Sequence, residues 1–456
     1  MIQVLLAGIL GCCLVLTSAA DAGAARRDGT PVPSFGSGGR VLTGFPAAET
    51  HSTYVDQIIP LPGGGTMVLG TGGDGYYLGR FLADGSVDRS FGAEGYVHRS
   101  YTPDLRRIGA RSIALQSDGG IVVAAGDGVR FGVLLRHQAD GRLDPDFGNG
   151  GVVDTASTVS LVAADSNDRL VSVGGSGRTE VSRFLPGGAP DPAFGENGIV
   201  RQNFSSSSGF GGLSLAGSRI TISSPFAGTL RLLGDGSPDS GFGSGGVSPY
   251  PGYRMAVQGD GRTVLVSGSG QVQRLLNNGS PDPTFGQGGT ATYAAGDAYA
   301  VGIDDLGRIT VGGVNRFLGP GTPRDFEMVR LLPSGDLDPG FSGDGYVTSD
   351  VSSGWEDGIT SMVVGSDGGV IAAGNARTAE GSQEIALARF SEDGTLDLSF
   401  GSGDGVNLVK PVIPTRDQIL DLAGTSDGGI VAAGINGSGA GLVDYLPSGK
   451  LDRQFG

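Results

Sequence analysis

One phrase, an acidic turn running into Phe-Gly, recurs along the chain, and this recurrence limits the fold more than any other feature of the sequence. Seven good copies read VDRSFGAEGYV, LDPDFGNGGVV, PDPAFGENGIV, PDSGFGSGGVS, PDPTFGQGGTA, LDPGFSGDGYV and LDLSFGSGDGV. Degraded copies stand at the two ends, PVPSFGSGGRV near the start and LDRQFG as the last six residues. The phenylalanines are Phe35, Phe91, Phe147, Phe194, Phe242, Phe285, Phe341, Phe400 and Phe455, spaced 43 to 59 residues apart. Nine marks enclose eight units. Self-similarity at this period points to a solenoid or a ring of equivalent modules, each unable to bury its apolar faces alone.

Within a unit the order of signals is constant. A short strand follows FGxxG, as in Tyr96-Val97-His98 or Tyr346-Val347-Thr348. A connection of variable length leads to a second strand and then to a tight turn, SDGG at 117–120, 366–369 and 426–429 or GDGR at 259–262. Asp-Gly between apolar runs is a hairpin signal, and a type I′ turn is the expected form. The third strand is the most apolar, IVVAAG or IVAAG, as suits a strand covered on both faces. The fourth ends in an arginine, as in YYLGRF and ALARF, and a further turn delivers the next Phe-Gly. Glycine reaches 87 of 456 residues, far above a usual share of roughly 7%, and without a G-X-Y period it belongs to turns. The expected class is all-β, a β-propeller of eight four-stranded blades, with seven blades as the alternative. The last unit stops at Phe455-Gly456, while GGRVLTGF (38–45) supplies a strand with no blade of its own. Pairing of residues near 39–45 with the C-terminal blade would close the ring and remove two raw edges.

The phrase LDPDFGNGG, with SDGGIVVAAG upstream and a strand ending in Arg, resembles the delta-60 repeat family of bacterial propeller-like proteins. The resemblance covers about residues 31 to 456. It implies a propeller-type repeat in an exported protein and no general activity.

Arginine stands eight residues before the motif aspartate in Arg80/Asp88, Arg136/Asp144, Arg183/Asp191, Arg231/Asp239, Arg274/Asp282, Arg330/Asp338 and Arg389/Asp397. The eighth unit breaks the rule, with Asp444 facing Asp452. An active site is singular, so a pair present seven times is expected to be structural: an ion pair, or an aspartate accepting backbone N–H groups in its turn. The motif phenylalanine is expected to plug the space between blades. Calcium has oxygen donors available in the SGDG stretches at 342–345 and 402–405, but the D-x-[DN]-x-[DN]-G spacing is absent, so no cofactor and no metal are expected. His51, His98 and His137 fall in separate units without ligand spacing and are expected to be solvated strand residues. Nucleophile-elbow, phosphate-loop and dinucleotide motifs are missing.

The formal charge is −16 with no basic block, which disfavours nucleic acid and anionic membranes as partners. Residues 1–22 have an apolar run and an Ala20-Asp21-Ala22 step that fit a cleaved signal peptide, followed by a short linker at 23–30 and one domain at 31–456. Ser18-Ala19-Ala20 is an alternative cleavage site, and Ile9-Leu10-Gly11-Cys12 an alternative lipoprotein signal carried by Cys12. Both cysteines, Cys12 and Cys13, lie in this segment, so a cleaved chain has neither thiol nor disulfide. The protein is expected to be secreted or periplasmic, monomeric and not inserted in a membrane. In a four-stranded blade alternate connections emerge on opposite faces. The SDGG turns and motif links share one face at nearly constant length, and the variable connections share the other. Recognition of an extracellular protein or glycan is therefore expected on the variable face, around Trp355, Tyr101, Arg106 and Arg107. An enzyme acting on extracellular polysaccharide through carboxylates of that face is the alternative.

Overall fold

The computed structural model describes residues 40–42 and, with short gaps, 54–445; the longer gaps are 62–65, 83–87, 101–108, 205–208, 316–323, 352–356, 378–382, 399–405, 410–417 and 425–429. Among the described residues every regular element is a strand. They contain no helix long and apolar enough to cross a membrane. The strands make eight four-stranded antiparallel sheets, numbered 1 to 8 in chain order. Their first strands are Tyr54–Pro60, Gly109–Leu115, Val159–Ala164, Gly212–Ala216, Arg254–Val257, Ala298–Ile303, Gly358–Val364 and Gln418–Gly424.

Sheet 2 shows the plan: Gly109–Leu115, Ile121–Gly126, Gly132–His137 and Val152–Thr155, each paired with the next. The apolar run Ile121–Gly126 is buried at every position, because neighbouring sheets cover both of its faces. The short strand after FGxxG is the fourth, outermost strand of the preceding sheet rather than the opening of a new one. Sheet 8 ends differently. Its fourth strand is Arg40–Leu42 from the N-terminal side, in register Arg40 to Val443 and Leu42 to Gly441.

The tight turns depart from the expected type I′. Between Leu115 and Ile121 the Gly119 N–H bonds the Gln116 carbonyl at 3.0 Å and the Gln116 N–H bonds the Gly120 carbonyl at 2.9 Å. Only Gly119 has positive φ, 83°, so the loop is a three-residue turn closed by one left-handed residue. A type I′ turn needs two such residues in succession. Six sheets also carry a bulge in the first strand near its variable-face end, for example between Ala110 and Ser112 or between Ala298 and Ala300. Sheets 4 and 5 pair without one.

First strands of successive sheets pack side by side, and the first strand of sheet 8 also lies against that of sheet 1. The core is divided among these junctions. One cluster joins Val122 and Leu134 of sheet 2 to Val162 and Leu170 of sheet 3 around Phe147. Another joins Val264 of sheet 5 to Ile309 and Val329 of sheet 6 around Phe285.

Candidate functional site

The motif link is built from its arginine outward. In all seven pairs the aspartate N–H donates to the arginine carbonyl at 2.8 to 3.0 Å, and this backbone bond is what fixes the eight-residue offset. The side chains then meet. Arg–Asp Nε to Oδ2 distances are 2.7 Å for Arg80–Asp88, Arg183–Asp191, Arg330–Asp338 and Arg389–Asp397. They are 2.8 Å for Arg231–Asp239 and 2.9 Å for Arg274–Asp282. Arg136 pairs with Asp144 through Nη1 and turns its Nε to Gln116 at 2.6 Å. The aspartate Oδ1 accepts the N–H two residues on, as from Ala193 at 2.9 Å and Thr284 at 3.0 Å. Both expected roles of the aspartate thus coexist, one on each oxygen.

The arginine also reaches the next sheet. Arg80, Arg183, Arg231 and Arg330 donate to the carbonyls of Ala139, Gly234, Asn277 and Glu392, and Arg274 to that of Pro333 at 2.6 Å. Five of these guanidiniums lie over the motif phenylalanine, 4.2 to 4.9 Å from its ring centre. The residue after that phenylalanine donates its N–H to the neighbouring link, as Gly286 does to the Ser334 carbonyl at 2.6 Å. Ser342 does the same at 2.6 Å with φ of 55°, a left-handed conformation that glycine holds at lower cost. Burial alone would raise the Asp282 pKa, but hydrogen bonds from Thr284 and the Arg274 guanidinium hold it below the ordinary carboxylate range. The strong donors and acceptors of the link are thus engaged within it or with the next sheet. At the second SGDG stretch expected to offer calcium donors, 402–405, the chain lies outside the described residues. At the first, Asp344 accepts the Tyr346 N–H at 2.9 Å as a turn residue.

Trp355, Tyr101, Arg106 and Arg107, expected on the opposite face, lie outside the described residues, as do Asp452 and residues 1–30. What is described there is a strip that the sequence did not single out. Phe226, in the turn after the second strand of sheet 4, is 66% exposed, and Tyr253, just before sheet 5, is 41% exposed. Their rings meet edge to face, 5.8 Å between centres. Arg254 donates to the carbonyl oxygens of Tyr253 at 2.9 Å and Tyr299 at 2.8 Å, tying sheet 5 to sheet 6. Tyr299, also 41% exposed, is the extra residue of the bulge in sheet 6, and bulges re-aim side chains. Its hydroxyl donates to Asp297 at 3.4 Å, and Arg324 stands 3.6 Å from the same carboxylate.

The strip ends in acid. Carboxylate oxygens of Asp325, Asp350 and Asp357 lie within 4.8 Å of one another. Asp357 is buried and accepts the Val351 N–H at 3.0 Å. Asp325 Oδ2 accepts from Asn315 at 3.3 Å, while its buried Oδ1 has no hydrogen-bond partner. Burial, then the charges of Asp350 and Asp357, push the Asp325 pKa upward. Close by, Glu327 accepts the Gly296 N–H at 3.1 Å, and burial raises its pKa to about 7. Its cavity, shared with Tyr293 and Asp297, holds about 10 Å³, the room of one water.

One histidine expectation fails. His98 is exposed and stacks on Tyr77 at 4.3 Å, but His137 is buried at 1% exposure. It ends the third strand of sheet 2, where alternation no longer marks a wet face because neighbouring sheets cover both. His137 Nδ1 donates to the Gly141 carbonyl at 2.9 Å, leaving Nε2 to accept from the Tyr76 hydroxyl of sheet 1 at 2.8 Å. His51 lies outside the described residues.

A match to one known family agrees with this architecture. The family described as a domain of unknown function (DUF5122) beta-propeller matches residues 258–285, 307–341 and 365–400, each span running from a tight turn to a motif phenylalanine. The repeat is of the β-propeller type. Among solved structures the chain is similar to the WD40 beta propeller domain of Doa1, at 11% identity over 71% of this chain and 90% of that one, with a TM-score of 0.40. It is also similar to the computationally designed Ika8 protein, at 13% identity over 87% of this chain and 97% of that one, with a TM-score of 0.49. No curated protein matches the chain.

Proposed function

We propose that the chain is an exported, monomeric eight-bladed propeller of the delta-60 kind, acting as a binding or structural module at the cell envelope or outside the cell. Closure of the ring is supported by the pairing of Arg40–Leu42 into sheet 8 and by the packing of that sheet's first strand against sheet 1. Export rests on the apolar N-terminal segment with its small-residue cleavage step, or on Cys12 as a lipidated residue. The observation that carries the binding role is the exposed run Phe226–Tyr253–Tyr299 on the face opposite the motif links. Contiguous exposed aromatics flanked by polar groups mark recognition surfaces. The ligand would be an extracellular protein or a glycan, engaged without a cofactor.

A glycan array and a protein pull-down with the full chain test this reading. A ligand whose binding is lost on Phe226→Ala with Tyr253→Ala supports it. Ligands that bind with unchanged affinity after substitution on the variable face, Trp355, Tyr101, Arg106 and Arg107 included, would sink it. The enzyme alternative would use Glu327, whose carboxyl keeps its proton to about 7 as a general acid would need. The water-sized cavity beside it leaves no room for a sugar ring, and binding without turnover is preferred.

A further inference from the structure

The strip along sheets 4 to 6 differs from a generic sticky patch in that acids outnumber bases at its polar end. Asp297, Asp325, Asp350 and Asp357 stand there against two guanidiniums. Both guanidiniums are engaged, Arg254 by the Tyr253 and Tyr299 carbonyls and Arg324 beside Asp297. The chain as a whole carries −16 with no basic block, so its field draws cations toward any open surface. Exposed phenylalanine and tyrosine faces attract guanidinium and ammonium groups, most strongly where carboxylates stand at the edge. Neutral sugars would gain stacking from the rings and nothing from the net charge.

We infer that the strip Phe226–Tyr253–Tyr299–Asp297 docks an extended, basic protein segment. Its arginine or lysine side chains lie over the aromatic rings and run toward the Asp325, Asp350 and Asp357 cluster. Asp350, the exposed member of that cluster, gives that end a carboxylate within reach of an incoming N–H donor. The inference rests on the proposed use of the variable face for binding. It adds the partner's class: a cationic polypeptide.

The test is fluorescence anisotropy of the full chain with a labelled (Arg-Gly)4 peptide, a neutral (Gln-Gly)4 control and a neutral glucan hexasaccharide. Wild-type protein should bind the arginine peptide alone, with affinity falling as salt rises. Phe226→Ala with Tyr253→Ala should weaken it about tenfold, as two exposed cation–π contacts imply. Asp297→Asn with Asp350→Asn should weaken it and flatten the salt dependence. These side chains are exposed, so circular dichroism should show all variants folded. Equal binding by the aromatic double variant would overturn the platform and leave only bulk charge. Binding of the hexasaccharide, abolished by the aromatic substitutions, with no binding of the arginine peptide, would overturn the partner class and keep the face. If no substitution on that face alters any binding, both proposals fail.

Discussion

His137 should make the protein lose stability as pH falls below neutrality. Burial pulls its pKa down to about 4, the hydrogen bond to the Gly141 carbonyl opposes this, and nearby Arg99 adds to it. The unfolded chain takes up this proton near 6.5, whereas the native ring stays neutral until about 4. The stability is therefore complete above 6.5 and is lost as pH falls from there through 4. At 1.36 kcal/mol per unit, moving from pH 7.5 to pH 5 costs roughly 2 kcal/mol, because the unfolded histidine is then almost fully charged and the folded one is not. The fixed tautomer sharpens the effect. A proton on Nε2 would face the Tyr76 hydroxyl, which would have to give up the one acceptor it has there. His137→Gln keeps an acceptor for Tyr76 and removes the titration. Urea unfolding followed by circular dichroism at the two pH values should show wild type losing about 2 kcal/mol relative to this variant. A pH dependence that is the same in both proteins would refute a neutral, buried His137.

Four further outcomes follow from the described geometry. Glu327 should act with the opposite sign: its native proton persists to about 7 while the unfolded carboxyl loses it near 4.5, so stability present below 4.5 is lost as pH rises toward 7. Glu327→Gln should be more stable than wild type at pH 8 by about 1–2 kcal/mol after solvent screening, read from the urea midpoint. Asp282→Ala strands the Arg274 guanidinium, 3% exposed, without its carboxylate, and should cost about 3 kcal/mol; Asp88→Ala, beside the 19% exposed Arg80, should cost nearer 1 kcal/mol. Equal losses by thermal unfolding would refute burial as the deciding factor. Ser342→Gly should raise stability by about 1 kcal/mol, because φ of 55° strains any L side chain. Gly286→Ala should be severely destabilising, since its Cβ would stand 2.2 Å from the Thr290 carbonyl oxygen.

The strands were legible because their signals are local. Alternation, Asp-Gly turns and the apolar IVVAAG run each follow from backbone needs within a few residues. The Arg–Asp offset was legible for the same reason, since one backbone hydrogen bond sets it and repetition separates it from chance. His137 was misjudged because period-two alternation says which side of a strand a residue takes and not whether another sheet covers that side. Phe226, Tyr253 and Tyr299 could not be found from pattern at all. They sit in turns and a bulge of three different sheets, and only the packing of sheets 4 to 6 makes them neighbours. A signal did exist in the connections SPFAG and PYPGYR, where aromatics stand in turns that need none.

Repetition is one reason to discount the motif face as a site, and saturation is a stronger one. An aspartate with Oδ1 on a backbone N–H and Oδ2 on a guanidinium has little left to offer a ligand. A guanidinium shared among its carboxylate, the next sheet's carbonyl and a phenylalanine ring is equally committed. Recruiting either for binding would cost the junction it holds, roughly 3–5 kcal/mol for each buried pair broken. The exposed rings of Phe226 and Tyr253 on the variable face hold no such pair. Sheets 4 and 5 lack the first-strand bulge found in the other six, and the exposed aromatics begin at those two sheets. At the acidic end of the strip three carboxylates crowd within 4.8 Å, and a cation brought to the exposed Asp350 would relieve their mutual repulsion. A surface that holds like charges close together can gain from a cationic partner what a saturated junction cannot.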